Sequence, residues 1–292
     1  FGECMSKKNP EYDFKWCPGC GDFGVKRSIE MAVEKRNIQI EAPMENNVVV
    51  AGIGCSGNLV HLLDGKQPFG IHGLHGRTLP VAFGVKMGNP DLNVLIVSGD
   101  GDFLSIGGEH IAPQAQRNLD VTAIIMDNGV YGLTKGQSSP TTIFGEVTPS
   151  TPYGKIESAL NPLDVYLSLG VNFIASGFSA KPRELADLIH QAMDYKGFSI
   201  VHVQSPCTTY NDNFEILKGN VKKEIAPLVY DVSDDYDSTD RQKAVELLSN
   251  GGIPLGVIYQ NPDAQSLDQR FSEVSQKVKI RDLEGQIGAF AI

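Results

Sequence analysis

The sequence predicts an α/β fold built on an open parallel sheet, with a C-terminal tail. Short apolar, β-branched segments alternate with segments whose apolar residues recur at helical spacing. Continuous apolar strands separated by helices are typical of parallel sheets that are covered on both faces. The motifs GIGCSG, GDGD, DNGVYG and SPCTTYND each follow a predicted strand directly, which is where ligands bind in such sheets. The pattern therefore predicts one composite site at the carboxyl edge of the sheet.

The predicted elements follow one another in a regular order. Helical periodicity marks residues 22–36, 78–88, 104–118 and 182–195. Apolar runs predict strands at 47–52, 93–98, 121–126, 171–175 and 199–204. Residues 1–20 are predicted to form an extended arm and 21–210 the α/β domain. Residues 211–292 are predicted to form a polar extension that packs on the core or on a partner, with one helix near 239–249 and one strand at 255–259.

Composition excludes several classes of protein. The 292 residues have a formal net charge of −10 at pH 7, which disfavours nucleic acid or an anionic membrane as the main partner. No apolar run approaches the ~20 residues that a membrane span needs. Five cysteines with a single C-x-x-C pair do not resemble a secreted disulfide framework. These features predict a cytoplasmic enzyme with a metal or cluster site.

Two polar motifs at the ends of successive strands predict a magnesium–diphosphate site. Gly99-Asp100-Gly101 follows one strand, and Asn128 follows the next. Mg²⁺ takes oxygen ligands, which Asp100, the Asn128 side chain and the Val130 carbonyl can supply together with phosphates. The glycines let a diphosphate approach the backbone closely. This spacing resembles the diphosphate-binding motif of thiamine-diphosphate enzymes, although Gly, Asp and Asn also favour ordinary turns.

Four cysteines predict the cluster or metal site. Cys17 and Cys20 share one turn, Cys55 follows the first predicted strand, and Cys207 follows the last strand of the α/β domain. Four thiolates can hold a 4Fe–4S cluster, but structural zinc accepts the same ligands, and a C-x-x-C pair can be a redox dithiol. The position of Cys55 at the predicted cofactor edge favours the cluster. Cys4 has no assigned role.

A resemblance to a known family rests on five segments together: WCPGCGDFG, GIGCSG, IHGLHGRTLPVAFGVKMGNPDLNVLIVSGDGDFLSIGGEH, DNGVYGLTKGQSSPT and QSPCTTYND. The combination resembles the β subunit of 2-oxoacid:ferredoxin oxidoreductases, whose sheet is of the thiamine-diphosphate-binding type. The resemblance implies that a 4Fe–4S cluster is held by Cys17, Cys20, Cys55 and Cys207. It implies that Mg²⁺ is bound by Asp100, Asn128 and Val130. It implies thiamine-diphosphate contacts for Ile53, Gly54, Cys55, Ser56, Gly73, Leu74, His75, Gly76, Gly101, Asp102, Gly132 and Leu133.

Two residues are candidates for the chemistry. The resemblance places His75 near the reacting centre, with a structural or phosphate-side histidine as the alternative. Lys135 is a candidate for binding the substrate carboxylate, with a solvated surface lysine as the alternative. Some family members have a lysine near the position of Asn58. Because Asn58 carries no charge, carboxylate recognition is expected to fall to other residues or to the partner.

The resemblance also implies an enzyme of several subunits. Thiamine diphosphate supplies the chemistry that decarboxylates a 2-oxoacid, the cluster passes electrons one at a time to ferredoxin, and coenzyme A takes up the acyl group. Run in reverse, the same site would fix CO₂. The activating glutamate is expected on an α, or fused γα, subunit, in a heterotetramer of two α and two β subunits. The chain is therefore expected to be inactive alone.

2-Oxoglutarate is the favoured substrate, and a pyruvate or broad-specificity 2-oxoacid enzyme is the alternative. Two other classes of protein stay open at the level of sequence. One is a thiamine-dependent decarboxylase or carboligase subunit without redox chemistry, which leaves the four cysteines unexplained. The other is a zinc scaffold or electron-transfer module without thiamine, which leaves the Asp100 and Asn128 motifs unexplained.

Overall fold

The computed structural model describes residues 16–63, 68–277 and 283–288. The strands of its main sheet are β1 (Asn47–Ala51), β2 (Phe69–His72), β3 (Asn93–Gly99), β4 (Val121–Asp127), β7 (Phe173–Phe178), β8 (Phe198–Gln204), β9 (Val229–Asp231) and β10 (Ile253–Gln260), with β5 (Val130–Tyr131) and β6 (Gln137–Ser138) forming a separate hairpin. The order across the main sheet is β2-β1-β3-β4-β8-β7-β10-β9. The carboxyl ends of β1, β3 and β4 therefore lie side by side.

The helices cover both faces of the sheet. They are α1 (Asp22–Gln39), α2 (Leu59–Leu62), α3 (Thr78–Gly88), α4 (Ile111–Arg117), α5 (Pro162–Ser168), α6 (Pro182–Asp194), α7 (Phe214–Lys218), α8 (Arg241–Ser249), α9 (Leu267–Lys277) and α10 (Leu283–Gly288). Helices α1 and α6 share one core cluster with alternate strand residues such as Val49 and Val97. Helices α3, α4, α5 and α8 share a second cluster with the intervening residues, such as Val48 and Ile96. Burial on both faces explains why these strands are continuously apolar.

The predicted open parallel sheet is confirmed, and one edge of it is mixed. Strands β2, β1, β3, β4, β8 and β7 are parallel to one another. Strand β10, which the sequence placed in the tail, pairs antiparallel with β7 and parallel with β9. The C-terminal extension thus completes the sheet. The boundary at residue 210 stays a prediction.

Two predicted elements need correction. The helix predicted at 104–118 is divided into a π-helical segment (Gly101–Ile106), a 3₁₀ turn (Gly108–His110) and α4. The wider turn is closed by the Gly107 amide, which donates to the Asp102 carbonyl at 3.0 Å. The backbone can pack this closely because Gly76 and Gly107 lack side chains. The strand predicted at 171–175 begins two residues later, as β7.

Residues 1–15 of the predicted arm, including Cys4, lie outside the described residues, and residues 16–20 form a turn in which the Cys20 amide donates to the Cys17 carbonyl at 3.1 Å. Within the described part of the chain, no helix combines the length and apolar character needed to cross a membrane.

Candidate active site

A pocket opens at the carboxyl edge of β1, β3 and β4, where the sequence predicted the composite site. It is lined by Ile53, Gly54, Cys55, Ser56, His75, Gly99, Asp100, Gly101, Asp102, Met126, Asn128, Val130, Tyr131, Gly132, Leu133 and Thr134. Three of the four strand-end motifs that the sequence identified, GIGCSG, GDGD and DNGVYG, therefore meet around one space, and SPCTTYND does not line it. Most of the predicted cofactor contacts and all three predicted Mg²⁺ ligands lie there.

Asp100 is a buried carboxylate that lines this pocket. It is 1% exposed, and burial, followed by the nearby Asp127 carboxylate, raises its pKa to about 7. The Thr141 hydroxyl, at 2.8 Å, and the backbone amide of Asn128 donate to it. A buried carboxylate beside a second carboxylate favours a cation, and oxygen donors of this kind suit Mg²⁺.

Asn128 contributes both its side chain and its backbone to the same region. Its side-chain Oδ1 accepts a hydrogen bond from the Val130 amide at 3.0 Å, which fixes the turn that brings the Val130 backbone to the pocket. Its carbonyl accepts a hydrogen bond from the Asn211 side-chain amide at 2.8 Å. Asn211 belongs to the SPCTTYND motif after β8, so this bond ties the Asn128 turn to the segment that carries Cys207.

Asp102 holds the two loops that border the pocket. Its Oδ1 accepts hydrogen bonds from the amides of Ile53, at 3.1 Å, and Gly76, at 2.7 Å. The same oxygen contacts His75 Nδ1, and its Oδ2 accepts from the Ser98 hydroxyl. The Asp102 carboxylate, predicted as a cofactor contact, is thus engaged with the protein. It orients His75 so that Nδ1 faces Asp102, while His75 remains part of the pocket wall.

Four cysteines converge beside this pocket. The pKa of the Cys55 thiol is raised to about 12 by burial, and Asp22, Cys207 and Cys17 add to the shift because negative charges on neighbouring groups repel a thiolate. Burial also raises the pKa of Cys20 far above its ordinary range, with Asp22, Cys207 and Cys55 among the other causes.

The thiols of Cys55 and Cys207 also share a neighbour. A Cβ added to Gly132 would be 3.3 Å from Cys55 Sγ and 3.9 Å from Cys207 Sγ. Unpaired thiols that would repel one another as thiolates fit a positively charged iron cluster, which takes four thiolate ligands. Within the part of the chain that the structure describes, no three His, Cys, Asp or Glu side chains are grouped as ligands of a single metal ion.

The turn that carries Cys17 and Cys20 is held beside the pocket by contacts that the sequence did not reveal. The Trp16 indole N–H donates to the Cys55 carbonyl at 2.8 Å, and the Thr208 hydroxyl donates to the Pro18 carbonyl at 3.0 Å. These bonds join the Cys17–Cys20 turn to the ends of β1 and β8.

Some predicted site residues lie outside the pocket wall. Gly73, Leu74 and Gly76 do not line it, and Leu74 is 75% exposed. Lys135 is exposed and follows Thr134, the last residue of the wall. Its backbone has a φ of 78°, which is unusual for a residue other than glycine. The cofactor and substrate contacts expected of these residues stay predictions.

Comparison with known proteins identifies the family. Residues 52–203 match the thiamine pyrophosphate enzyme, C-terminal TPP-binding domain family. Residues 207–276 match the C-terminal family of the pyruvate ferredoxin oxidoreductase β subunit. A 2-oxoacid:ferredoxin oxidoreductase β subunit from Sulfolobus sp is 38% identical over 274 residues, covering 91% of this chain and 88% of the relative. This chain belongs to the β subunits of 2-oxoacid:ferredoxin oxidoreductases.

Two further relatives carry 2-oxoglutarate in their names. The 2-oxoglutarate oxidoreductase subunit KorB from Mycobacterium tuberculosis is 30% identical over 282 residues, covering 94% of this chain and 74% of that relative. The solved 2-oxoglutarate:ferredoxin oxidoreductase from Magnetococcus marinus, with 2-oxoglutarate, coenzyme A and succinyl-CoA bound, is 35% identical. It has a TM-score of 0.84, with 97% of this chain and 94% of that chain covered. The predicted family is confirmed. As a β subunit, the chain functions with partner subunits.

Proposed function

We propose that this β subunit oxidises 2-oxoglutarate to succinyl-CoA and CO₂ in complex with its partner subunits, with electrons leaving through a 4Fe–4S cluster to ferredoxin. The observation that carries the proposal is the single pocket that contains Asp100, Asn128, His75 and Cys55. The residues proposed for the diphosphate–magnesium site, the histidine proposed near the reacting centre and one proposed cluster ligand share one wall.

Asp100, Asn128 and the Val130 carbonyl would hold Mg²⁺, and Cys17, Cys20, Cys55 and Cys207 would hold the cluster. Thiamine diphosphate, when bound, supplies the decarboxylation chemistry, and the cluster supplies one-electron transfer. Cys55 belongs both to the pocket wall and to the group of thiols, so a cluster there would lie next to the cofactor. This adjacency favours the redox enzyme over a non-redox decarboxylase or carboligase.

The choice of 2-oxoglutarate is supported by the relatives with that substrate in their names, from Mycobacterium tuberculosis and Magnetococcus marinus. The alternative is pyruvate or a broad range of 2-oxoacids, as the family name of residues 207–276 and the general names of other relatives indicate. Lys135 is the proposed carboxylate-binding residue of this chain. Its exposed position beyond Thr134 fits a site that is completed by a partner.

An exposed apolar surface is the proposed contact with the α, or fused γα, subunit. We define it by Ile143, Phe144, Val147, Tyr153 and Ile156, which are between 64% and 99% exposed. Exposed apolar side chains at this density mark interaction sites in soluble proteins. The surface follows the Gln137–Thr142 segment, so a partner docked there would stand beside the pocket and could supply the activating glutamate. A heterotetramer of two α and two β subunits is the proposed assembly.

The test uses the complex purified without oxygen together with its native partner subunits. The complex is mixed with coenzyme A, ferredoxin and either 2-oxoglutarate or pyruvate, and ferredoxin reduction is followed by absorbance. We expect a larger kcat/KM with 2-oxoglutarate. A larger value with pyruvate would support the alternative substrate. No reduction with either acid, in a preparation that contains iron and thiamine, would contradict the proposed reaction.

A further inference from the structure

A short segment lies against Asp100 that ends the DNGVYGLTKGQSSPT stretch and extends one residue past it, and the sequence alone predicted no role for it. This segment, Ser139–Thr142, follows strand β6. The Thr141 hydroxyl is 2.8 Å from Asp100 Oδ2 and also 2.8 Å from Asp127 Oδ1. The Ser139 hydroxyl forms a further hydrogen bond with Asp100. Two side chains of one short segment therefore support the same carboxylate.

The hydroxyl of Thr141 has one proton and two carboxylates within reach. Asp127 is satisfied without that proton, because its Oδ1 accepts from the Gly129 amide at 2.9 Å and its Oδ2 contacts His202 Nε2 at 3.0 Å. The proton of Thr141 is therefore available to Asp100, whose other donors are the Ser139 hydroxyl and the Asn128 backbone amide.

His202, which contacts Asp127, is itself held in place by a hydrogen bond. His202 Nδ1 lies 3.2 Å from the Tyr166 hydroxyl, and both side chains are at most 1% exposed. With the His202 ring neutral, Nδ1 accepts a hydrogen bond from the Tyr166 phenol. His202 then carries its own proton on Nε2 and donates to Asp127. The chain Tyr166–His202–Asp127 thus fixes one side of the Thr141 contact.

Lys155 holds the segment that carries Thr141 in place. Its ammonium donates to the carbonyls of Ser139, at 3.0 Å, Pro140, at 3.3 Å, and Thr142, at 2.8 Å. The side chain is 5% exposed, so this charge is satisfied by the backbone of the segment. The Thr142 hydroxyl also donates to the Gly129 carbonyl. The segment therefore has little freedom to move away from Asp100.

We propose that Thr141 is a positioning residue for the magnesium site, because its hydroxyl fixes the orientation of Asp100 from a segment that Lys155 holds in place. The proposal rests on the proposed role of Asp100 as a Mg²⁺ ligand. A hydrogen bond that orients a metal-ligating carboxylate is worth about 10- to 100-fold in metal affinity. Thr141 would therefore influence Mg²⁺ affinity without contacting the metal.

The experiment measures Mg²⁺ binding rather than turnover. The complex with its native partner subunits is freed of Mg²⁺ and thiamine diphosphate with a chelator. Thiamine diphosphate is then added in excess, and Mg²⁺ is titrated by calorimetry. The variants are Thr141→Val, which keeps the shape of the side chain but removes the donor, and Thr141→Ser, which keeps the donor. The matched control is Thr239→Val, which removes a surface hydrogen bond from a threonine hydroxyl to Asp237.

We expect the half-saturating Mg²⁺ concentration to rise about tenfold in Thr141→Val. Thr141→Ser should restore most of the affinity, and Thr239→Val should match the wild type. Equal affinity in Thr141→Val and wild type would overturn the proposal, as would an equal loss in the serine and valine variants. If the wild-type complex bound thiamine diphosphate independently of Mg²⁺, the magnesium site itself would be wrong, and this inference would fail with it.

Discussion

Replacing Asp102 by Asn tests the support of the pocket loops most directly. The Asp102 carboxylate accepts hydrogen bonds from two backbone amides, those of Ile53 and Gly76, and from the Ser98 hydroxyl, and it contacts His75 Nδ1. Asn keeps one acceptor oxygen but removes the negative charge. If that oxygen takes the place of Oδ1, the new amide group faces the Ser98 hydroxyl, which can rotate and accept. The contacts from the Ile53 amide, the Gly76 amide and His75 Nδ1 then lose their charged acceptor.

The expected loss of unfolding free energy in Asp102→Asn follows from the difference in strength between charged and neutral hydrogen bonds. A bond to a charged group contributes ~1.5–3 kcal/mol and a neutral one ~0.5–1.5 kcal/mol, so each of the three contacts loses roughly 1 kcal/mol. The expected loss is roughly 3 kcal/mol of unfolding free energy. For a chain of this size each 1 kcal/mol lowers the melting temperature by about 2–4 °C, so the expected decrease is about 6–12 °C.

The assay compares melting curves of the assembled complexes by circular dichroism at one protein concentration. The control is Asp187→Asn, since Asp187 is a surface residue paired with Lys35 at 2.8 Å, and exposed pairs of this kind contribute little. Turnover should also fall in Asp102→Asn, because the group that orients His75 loses its charge. The reasoning is refuted if Asp102→Asn melts together with Asp187→Asn and the wild type.

Three further substitutions test the proposed ligands and the shape of the pocket. Cys207→Ala should lower the iron content and stop electron transfer to ferredoxin, and unchanged iron would remove Cys207 from the ligand set. Asp100→Ala should abolish Mg²⁺-dependent binding of thiamine diphosphate in calorimetry, and normal affinity would contradict its assignment as a ligand. Gly101→Ala should weaken the same binding about tenfold or more, because the new Cβ would lie 2.2 Å from the Tyr131 ring and displace it from the pocket wall. Gly84→Ala is its control, since that Cβ would meet no atom within 4 Å beyond its chain neighbours and the backbone of its own helix, and equal effects of the two alanines would contradict the role of the ring.

The sequence was sufficient for the central strands and the pocket for a clear physical reason. Parallel strands buried on both faces need continuous apolar runs, and their ligand-binding residues follow directly after them in the chain. Asp100 and Asn128 could therefore be placed side by side from their positions after successive strands. The structure brings both to one pocket.

Elements without such a pattern could not be predicted. Strand β2 was missed because its four residues are mostly exposed and lack an apolar run. The antiparallel pairing of β10 with β7 depends on long-range packing that local sequence does not encode. The same holds for the site: Thr141 lies in a recognised segment but had no role assigned to it, and His202 and Lys155 lie in ordinary-looking segments. Only the fold shows that they support Asp100.

The measurement that tests the central claim follows the electrons directly. The complex with its native partner subunits is mixed without oxygen with 2-oxoglutarate, and samples frozen at successive times are examined by electron paramagnetic resonance while released CO₂ is measured. Because Cys55 belongs to both the pocket wall and the group of thiols, we predict that a reduced-cluster signal appears as CO₂ is released and is lost in Cys207→Ala. Release of CO₂ by an iron-containing complex with no reduced-cluster signal would contradict the account.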